Sequence, residues 1–242
     1  MTILESAADA IARPAVGFTR PQALAMRLWA PFMIMGFIIV VSSFVIGIIN
    51  GMVAADYFEF SRVEREAAVA GSDIVEKKVF IESVSAWLPE FRFLGIGLIL
   101  AGITLLFTTI LGALRISGAT VQQSLGVTIV LPRAPFIARV FPILLTTGLA
   151  FLLAALALGV VQALMTASYW NHSIALELNP APRGSGLLSD LGTIEAMDRW
   201  LEPFKFVGTA LLLSAIGLST ASTVWVLRFQ SRRLLDILSG RP

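Results

Sequence analysis

Four long apolar runs set the pattern of this chain: Leu28–Ala55, Phe93–Leu114, Val140–Ala167 and Val207–Val226. No Asp, Glu, Lys or Arg falls inside any of them. At a rise of 1.5 Å per residue, about 20 residues cross the hydrocarbon layer of a bilayer. A charge at the bilayer centre costs roughly 2.5–3.5 kcal/mol on insertion scales, so charge-free runs of this length read as membrane spans. Lipid offers no partner to backbone N–H and C=O groups, which leaves the helix as the open-chain solution. The pattern predicts an all-α integral membrane protein with four transmembrane helices.

The pattern also repeats. Ile81–Arg115 and Ile194–Arg228 align at a constant offset of 113, with 13 of 35 positions identical. Trp87/Trp200, Phe91/Phe204, Phe93/Phe206, Gly95/Gly208 and Arg115/Arg228 are among the matches. Spans one and three align at an offset of 112, pairing Arg27 with Arg139, Trp29 with Phe141, Gly36 with Gly148, Gly47 with Gly159, Asn50 with Gln162 and Tyr57 with Tyr169. The expected organisation is two tandem, parallel two-helix repeats, related by a pseudo-twofold along the membrane normal. Repeat 1 covers 28–115, with spans 28–55 and 93–114 and a loop over 56–92. Repeat 2 covers 140–228, with spans 140–167 and 207–226 and a loop over 168–206. Segments 1–27, 116–139 and 229–242 are the N-terminal segment, the connection and the C-terminal tail.

Between the spans, polar residues are distributed unevenly. The N-terminal segment, the 115–139 connection and the C-terminal stretch from Arg228 onward carry 3, 3 and 4 arginines, against only Glu5, Asp9 and Asp236. The 53–92 and 169–205 loops hold 8 basic and 13 acidic residues. By the positive-inside rule the arginine-rich side is cytoplasmic, so both termini are expected inside and the two loops outside. The Arg- and Ala-rich composition points to a bacterial inner membrane.

Both loops carry amphipathic stretches before the even-numbered spans. Asp73–Phe91 has an apolar stripe of Val75, Val79, Ile81, Val84 and Leu88, and Leu188–Leu201 is similar. These are expected as short interfacial helices, with Pro89 and Pro203 marking the bend into each span. Span one is expected to continue as helix beyond the lipid, since no Gly or Pro intervenes before Gly71. Ile3, Leu4, Ala7, Ala8 and Ile11 fall at helical spacing and suggest a surface helix. On the arginine-rich side, Val121–Leu131 is too short to span, and Phe229–Leu238 reads as a basic amphipathic extension of span four.

Composition narrows the chemistry. Of 242 residues, 57% are hydrophobic and 14% charged, and the mean hydropathy is +0.84, which sets soluble classes aside. There is no cysteine, so disulfides, thiolate metal sites and a cysteine nucleophile are excluded. The single histidine, His172, excludes paired-histidine ligation within the chain. The pI near 9.4 comes from arginines gathered on one side rather than from a nucleic-acid footprint, and no nucleic-acid partner is expected.

Several residues have a structural reading. Gly47-x-x-x-Gly51, Gly159-x-x-x-Ala163 and Gly217-x-x-x-Ala221 place small residues four apart, which lets helices approach closely. Spans one and three are expected to cross through the first two of these faces. Asn50 and Gln162 are amides inside apolar spans, and each needs a polar partner on another helix. Trp87 and Trp200 suit an aromatic belt, and Arg27, Arg115, Arg139 and Arg228 suit the opposite interface.

Reactive candidates are few. His172 lies just beyond span three, and Asn171-His172-Ser173 fits a glycosylation acceptor, which the bacterial composition discounts. Glu82 and Glu195 repeat, and Glu90 and Glu202 sit near the outer interface; they read as solvating the outer face of an interfacial helix, the alternative being paired carboxylates that bind a cation or share a proton. Span four is rich in hydroxyls, which commonly bond back to their own helix. There is no phosphate-binding loop, nucleophile elbow or metalloprotease helix. No catalytic residue, metal or cofactor is therefore expected. The expected function is a non-catalytic membrane subunit or scaffold, surrounded by the lipid bilayer and packing with other membrane subunits or with itself. The alternatives are a small-solute transporter or channel formed as an oligomer, and an interfacial lipid-acting enzyme using His172.

Overall fold

A computed structural model describes residues 17–131, 137–172 and 186–240, the side chains of 137–139 excepted. Among them the chain is helical throughout its regular structure: α1 (Arg20–Glu59), α2 (Arg62–Glu66), α3 (Asp73–Ser124), α4 (Ile137–Trp170) and α5 (Gly186–Leu238). Four of these, α1, α3, α4 and α5, are long and apolar enough to cross a membrane. The expected N-terminal surface helix lies outside the described residues.

The amphipathic approaches are not separate helices. Asp73–Ser124 is one helix of 52 residues that passes through Pro89, and Gly186–Leu238 is one of 53 that passes through Pro203. A proline removes one rung of the helical ladder, but helical sequence on both sides can carry the chain across the gap. The stripe that suggested an interfacial location is instead packed inside the protein. Val75, Val84 and Leu88 on α3, and Ile194, Met197 and Leu201 on α5, are all buried.

α1 ends sooner than propensity suggests. Helix stops at Glu59, and Ser61 opens α2 with a capping box. The Ser61 N–H donates to Glu64 Oε2 at 2.7 Å, and the Glu64 N–H donates to Ser61 Oγ at 3.3 Å. A serine three residues ahead of a glutamate offers the backbone a competing set of hydrogen bonds, and a new helix begins there. Gly71, at φ +78°, then turns the chain into α3. The Ser61 side chain and then its backbone amide hold the Glu64 carboxyl below its ordinary value. The folded carboxyl is the stronger acid. Its contribution is present above the unfolded carboxylate's pKa and is lost as pH falls through the folded value. Amide exchange over 62–66 is accordingly expected to quicken in acid, beyond intrinsic rates, and Ser61→Ala should abolish that excess.

Two compact units are present. One comprises Met1–Met33, Leu100–Thr146 and Leu211–Pro242; the other comprises Ile34–Ile99 and Thr147–Ala210. Each takes segments from both predicted repeats, because the division cuts across the long helices. In the first, Ala25, Ala101, Thr104, Leu145, Leu212 and Ala215 are buried. In the second, Leu94, Leu152, Ala155, Ala163 and Leu201 are buried.

Within the second unit α1 is held by a narrow seam. Gly36, Ser43 and Tyr57 are buried and Asn50 is half-buried, one residue in every seven. A seven-residue repeat keeps one stripe of a helix against its neighbour. The remaining faces stay apolar and exposed, as at Phe37, Phe44, Ile48 and Met52.

Val121–Leu131 is helical only in its first turn. α3 runs to Ser124, Gly126 at φ +68° ends it, and extended chain follows. The buried Gln122 amide holds that chain in place. Its Oε1 accepts from the Val130 N–H at 2.7 Å, and its Nε2 donates to the Val130 carbonyl at 3.3 Å. The basic stretch Phe229–Leu238 is helical and continuous with α5.

Candidate functional site

The buried seams of α3 and α5 lead to a pair of charges. Along α3, Leu94, Ala101, Thr104 and Thr108 are buried at spacings of seven, three and four, and stepping back four from Leu94 reaches Glu90. Along α5, Leu201, Gly208, Leu212, Ala215, Ser219 and Ser222 are buried, and Lys205 stands midway between the first two. Each charge thus occupies a core-facing register position of its helix.

They meet in the second unit. Lys205 Nζ donates to Glu90 Oε1 at 3.0 Å, and the two side chains are 11% and 4% exposed. Glu90 Oε2 is buried with no hydrogen-bond partner among the described residues. Lys205 Nζ lies 5.3 Å from the centre of the Phe93 ring, which itself meets Phe206 edge-on at 5.4 Å. Phe151 and Phe204 stack at 4.8 Å in the same unit. The carboxylate is seated on Gly159, where an added Cβ would stand 3.0 Å from Glu90 Cγ and 3.4 Å from Cδ.

This corrects the expectation that Glu90 solvates an exposed helix end. Gly159 lies eight residues before Ala167, the expected end of span three (167 − 159 = 8). At 1.5 Å per residue that is about 12 Å inside the span. The apolar windows were bounded by the first charge met, so they stopped short of a pair that faces the middle of another helix. Lys205 carried no sequence signal of its own. Continuing the seam register past the end of each window would have found both residues.

The other candidates are placed as follows. Asn50 Nδ2 is 3.5 Å from Ser85 Oγ on α3, and Gln162 Nε2 is 3.5 Å from the Ile194 carbonyl on α5. Both distances are at the outer limit of a hydrogen bond. The small-residue faces of spans one and three do not meet each other. A Cβ at Gly47 would approach Leu88 and Arg92 of α3, and one at Gly159 would approach Glu90. Gly51 and Gly217 face open space; Ala163 is buried and Ala221 exposed. The close approaches occur instead where Gly36 meets Gly95, where Gly102 meets Trp29 and Met33, and where Gly208 meets Phe151 and Leu152.

Trp87 packs edge-on to Phe91 at 5.4 Å, and Trp200 to Phe204 at 5.9 Å. Arg27 and Arg228 are exposed, and Arg115 is half-buried. The Arg139 side chain lies outside the described residues. His172 is turned inward, its Nδ1 against the Tyr169 carbonyl and its ring stacked on Trp170. Among the described residues no group of three or more His, Asp or Glu side chains could hold a metal.

Eight hydroxyls of the even-numbered spans are spent locally, whereas the Thr166 hydroxyl of α4 is buried with no hydrogen-bond partner among the described residues. Thr104, Thr108, Thr109, Thr209, Ser219, Thr220, Ser222 and Thr223 each donate to a carbonyl three or four residues back. Such bonds satisfy the hydroxyl within its own helix and leave it little to offer a passing solute.

Comparison with protein-family models, with curated proteins and with solved structures finds no match for this chain.

Proposed function

We propose that this chain is a non-catalytic subunit of a larger membrane assembly, seated in a bacterial inner membrane with both termini cytoplasmic. The reading takes the fold as two tandem parallel repeats. Equivalent packing supports that: Gly95 meets Ile39 and Val40 of α1, while Gly208 meets Phe151 and Leu152 of α4, positions displaced by 112 in sequence.

One observation carries the assembly reading. On α5, Ala210, Ser214, Gly217 and Ala221 are all exposed, and nothing lies within 4 Å of a Cβ added at Gly217. Facing lipid, a stripe of small residues forfeits contact area; facing a second helix, it permits close backbone approach. The face is thus suited to a partner subunit or a second copy. Gly217→Ile is expected to reduce the particle to single-chain mass in mild detergent. It should not lower unfolding stability, because the added side chain meets nothing within the chain. The absence of cysteine makes Ser214→Cys a single-thiol probe, and cross-linking through it is expected in native membranes. An unchanged mass in Gly217→Ile together with no cross-link from Ser214→Cys would remove the reading.

A second reading, a small-solute transporter competent as an oligomer, is favoured by the unsatisfied Glu90 Oε2. A carboxylate oxygen without a partner has lone pairs to offer a donor group of a solute. Flux by the purified protein in liposomes would support it, and a tight bilayer across the tested solutes and pH values would dismiss it.

A further inference from the structure

The four charge-free runs do not lie at one height in the second unit. Lys77 of α3 pairs with Asp56 of α1 at 3.3 Å, so the first run, which ends at Ala55, is still apolar almost level with Lys77. The second run begins at Phe93, 16 residues further along α3 (93 − 77 = 16). At 1.5 Å per residue that is about 24 Å. The other helix pair is staggered in the same sense. Gln162 of α4 is level with Ile194 of α5, and the third run continues five residues beyond Gln162 to Ala167 (167 − 162 = 5). The fourth run begins at Val207, 13 residues after Ile194 (207 − 194 = 13), or about 20 Å further along α5.

Tilting does not bring such runs into one layer. Neighbouring helix axes stand about 8–10 Å apart, so a stagger of about 20 Å needs a tilt of roughly 65°, beyond the range of roughly 0–40° found for membrane helices. The end of the unit that carries α2 therefore presents unlike surfaces at one height. Phe44, Ile48 and Met52 of α1 and Val160 and Leu164 of α4 are exposed and apolar. Glu195, Asp198, Arg199 and Glu202 of α5 are exposed and charged.

We propose that the exposed faces of α1 and α4 contact lipid acyl chains as far as Met52 and Leu164, while at the same height the exposed face of α5 contacts water. That water fills a recess reaching Glu202, one turn from Lys205. Acyl chains are the occupant of the first surface because its stripe on α1 is continuous. It runs without a charged residue from Phe37, beside the Gly36–Gly95 contact with the second run, to Met52. Standing in water, it would be an apolar patch of the kind that soluble surfaces rarely carry. The four charges of α5 exclude hydrocarbon from theirs. The inference rests on the stagger alone and goes beyond the assembly reading.

The chain has no cysteine, so single cysteines carry nitroxide labels without background. Met52→Cys, Leu164→Cys, Glu195→Cys and Glu202→Cys are compared in the full chain, reconstituted in phosphatidylcholine liposomes. Each label is read by its collisions with oxygen, which concentrates in hydrocarbon, and with a water-soluble nickel chelate. Two exposed positions per surface keep the test decisive if one variant misfolds. Oxygen is expected to dominate at Met52 and Leu164 and the chelate at Glu195 and Glu202, a reversal of the collision ratio at matched height. Chelate dominance at Met52 and Leu164 would place them above the bilayer, and little collision with either reagent there would mean that protein covers them. Oxygen dominance at Glu202 would mean that no recess exists. Each of these three outcomes overturns the proposal, and none depends on the mass of the particle, so the assembly reading is judged separately.

Discussion

Replacing Glu90 by Met is expected to destabilise the fold by about 3–5 kcal/mol, and replacing Lys205 by Met in the same chain to recover most of that loss. The asymmetry follows from burial. With both charges present, each offsets the desolvation of the other across 3.0 Å. Removing one leaves the other charged, enclosed and unpaired. Removing both leaves apolar volume in an apolar setting, the arrangement that commonly equals or exceeds a buried ion pair. A double-mutant cycle read by reversible unfolding in detergent isolates the coupling between the two residues. Additive losses in Glu90→Met, Lys205→Met and the double variant would mean that the two do not act as a pair. Gly159→Ala should mimic part of the Glu90 loss, about 1–3 kcal/mol, by pressing a methyl against the carboxylate side chain.

The same pair shows why some of this molecule is readable from sequence and some is not. Four helices long enough to span follow from hydropathy, because lipid punishes any charge placed at random and the signal accumulates over some 20 residues. Glu90 escapes that signal, since a charge that finds its partner within the protein no longer needs to lie at the polar edge. Pairing between α3 and α5 is a tertiary fact, 115 positions apart in the chain. The continuity of α3 through Pro89 has a similar origin. Pro89 taken alone suggests a bend, but the buried register Val84, Leu88, Leu94 runs past it and holds both sides in one helix. The break at Ser61 could have been read locally, because the Ser61–Glu64 spacing is the capping-box signature. Asn50 and Gln162 could be singled out as amides in apolar helix, but not their neighbours Ser85 and Ile194.

Gly36→Ala and Gly51→Ala are expected to change stability in opposite directions, although both add one methyl to the same helix. The general effect of Gly→Ala in a helix interior is a gain of about 0.5–1 kcal/mol, because the unfolded chain loses freedom. Gly51 faces open space, so α1 should realise that gain there. At Gly36 the new Cβ would stand 2.6 Å from the Gly95 carbonyl oxygen and 2.8 Å from the Ile99 nitrogen. Those are backbone atoms of α3 and cannot rotate away. The helices must part, and the overpacking penalty of about 1–3 kcal/mol outweighs the entropic gain. Gly95→Ala presses on the same contact from the other side, at 2.8 Å from Ile39 Cγ2 and 3.0 Å from the Gly36 oxygen. Once either substitution has separated the helices, the second has less contact left to destroy, so their combined loss should fall short of the sum. Unfolding midpoints for the single variants, the Gly36/Gly95 double variant and Gly51→Ala decide the matter. A stabilised Gly36→Ala protein would show that α1 and α3 do not touch at this point, and that α1 meets α3 instead near Gly47 and Asn50.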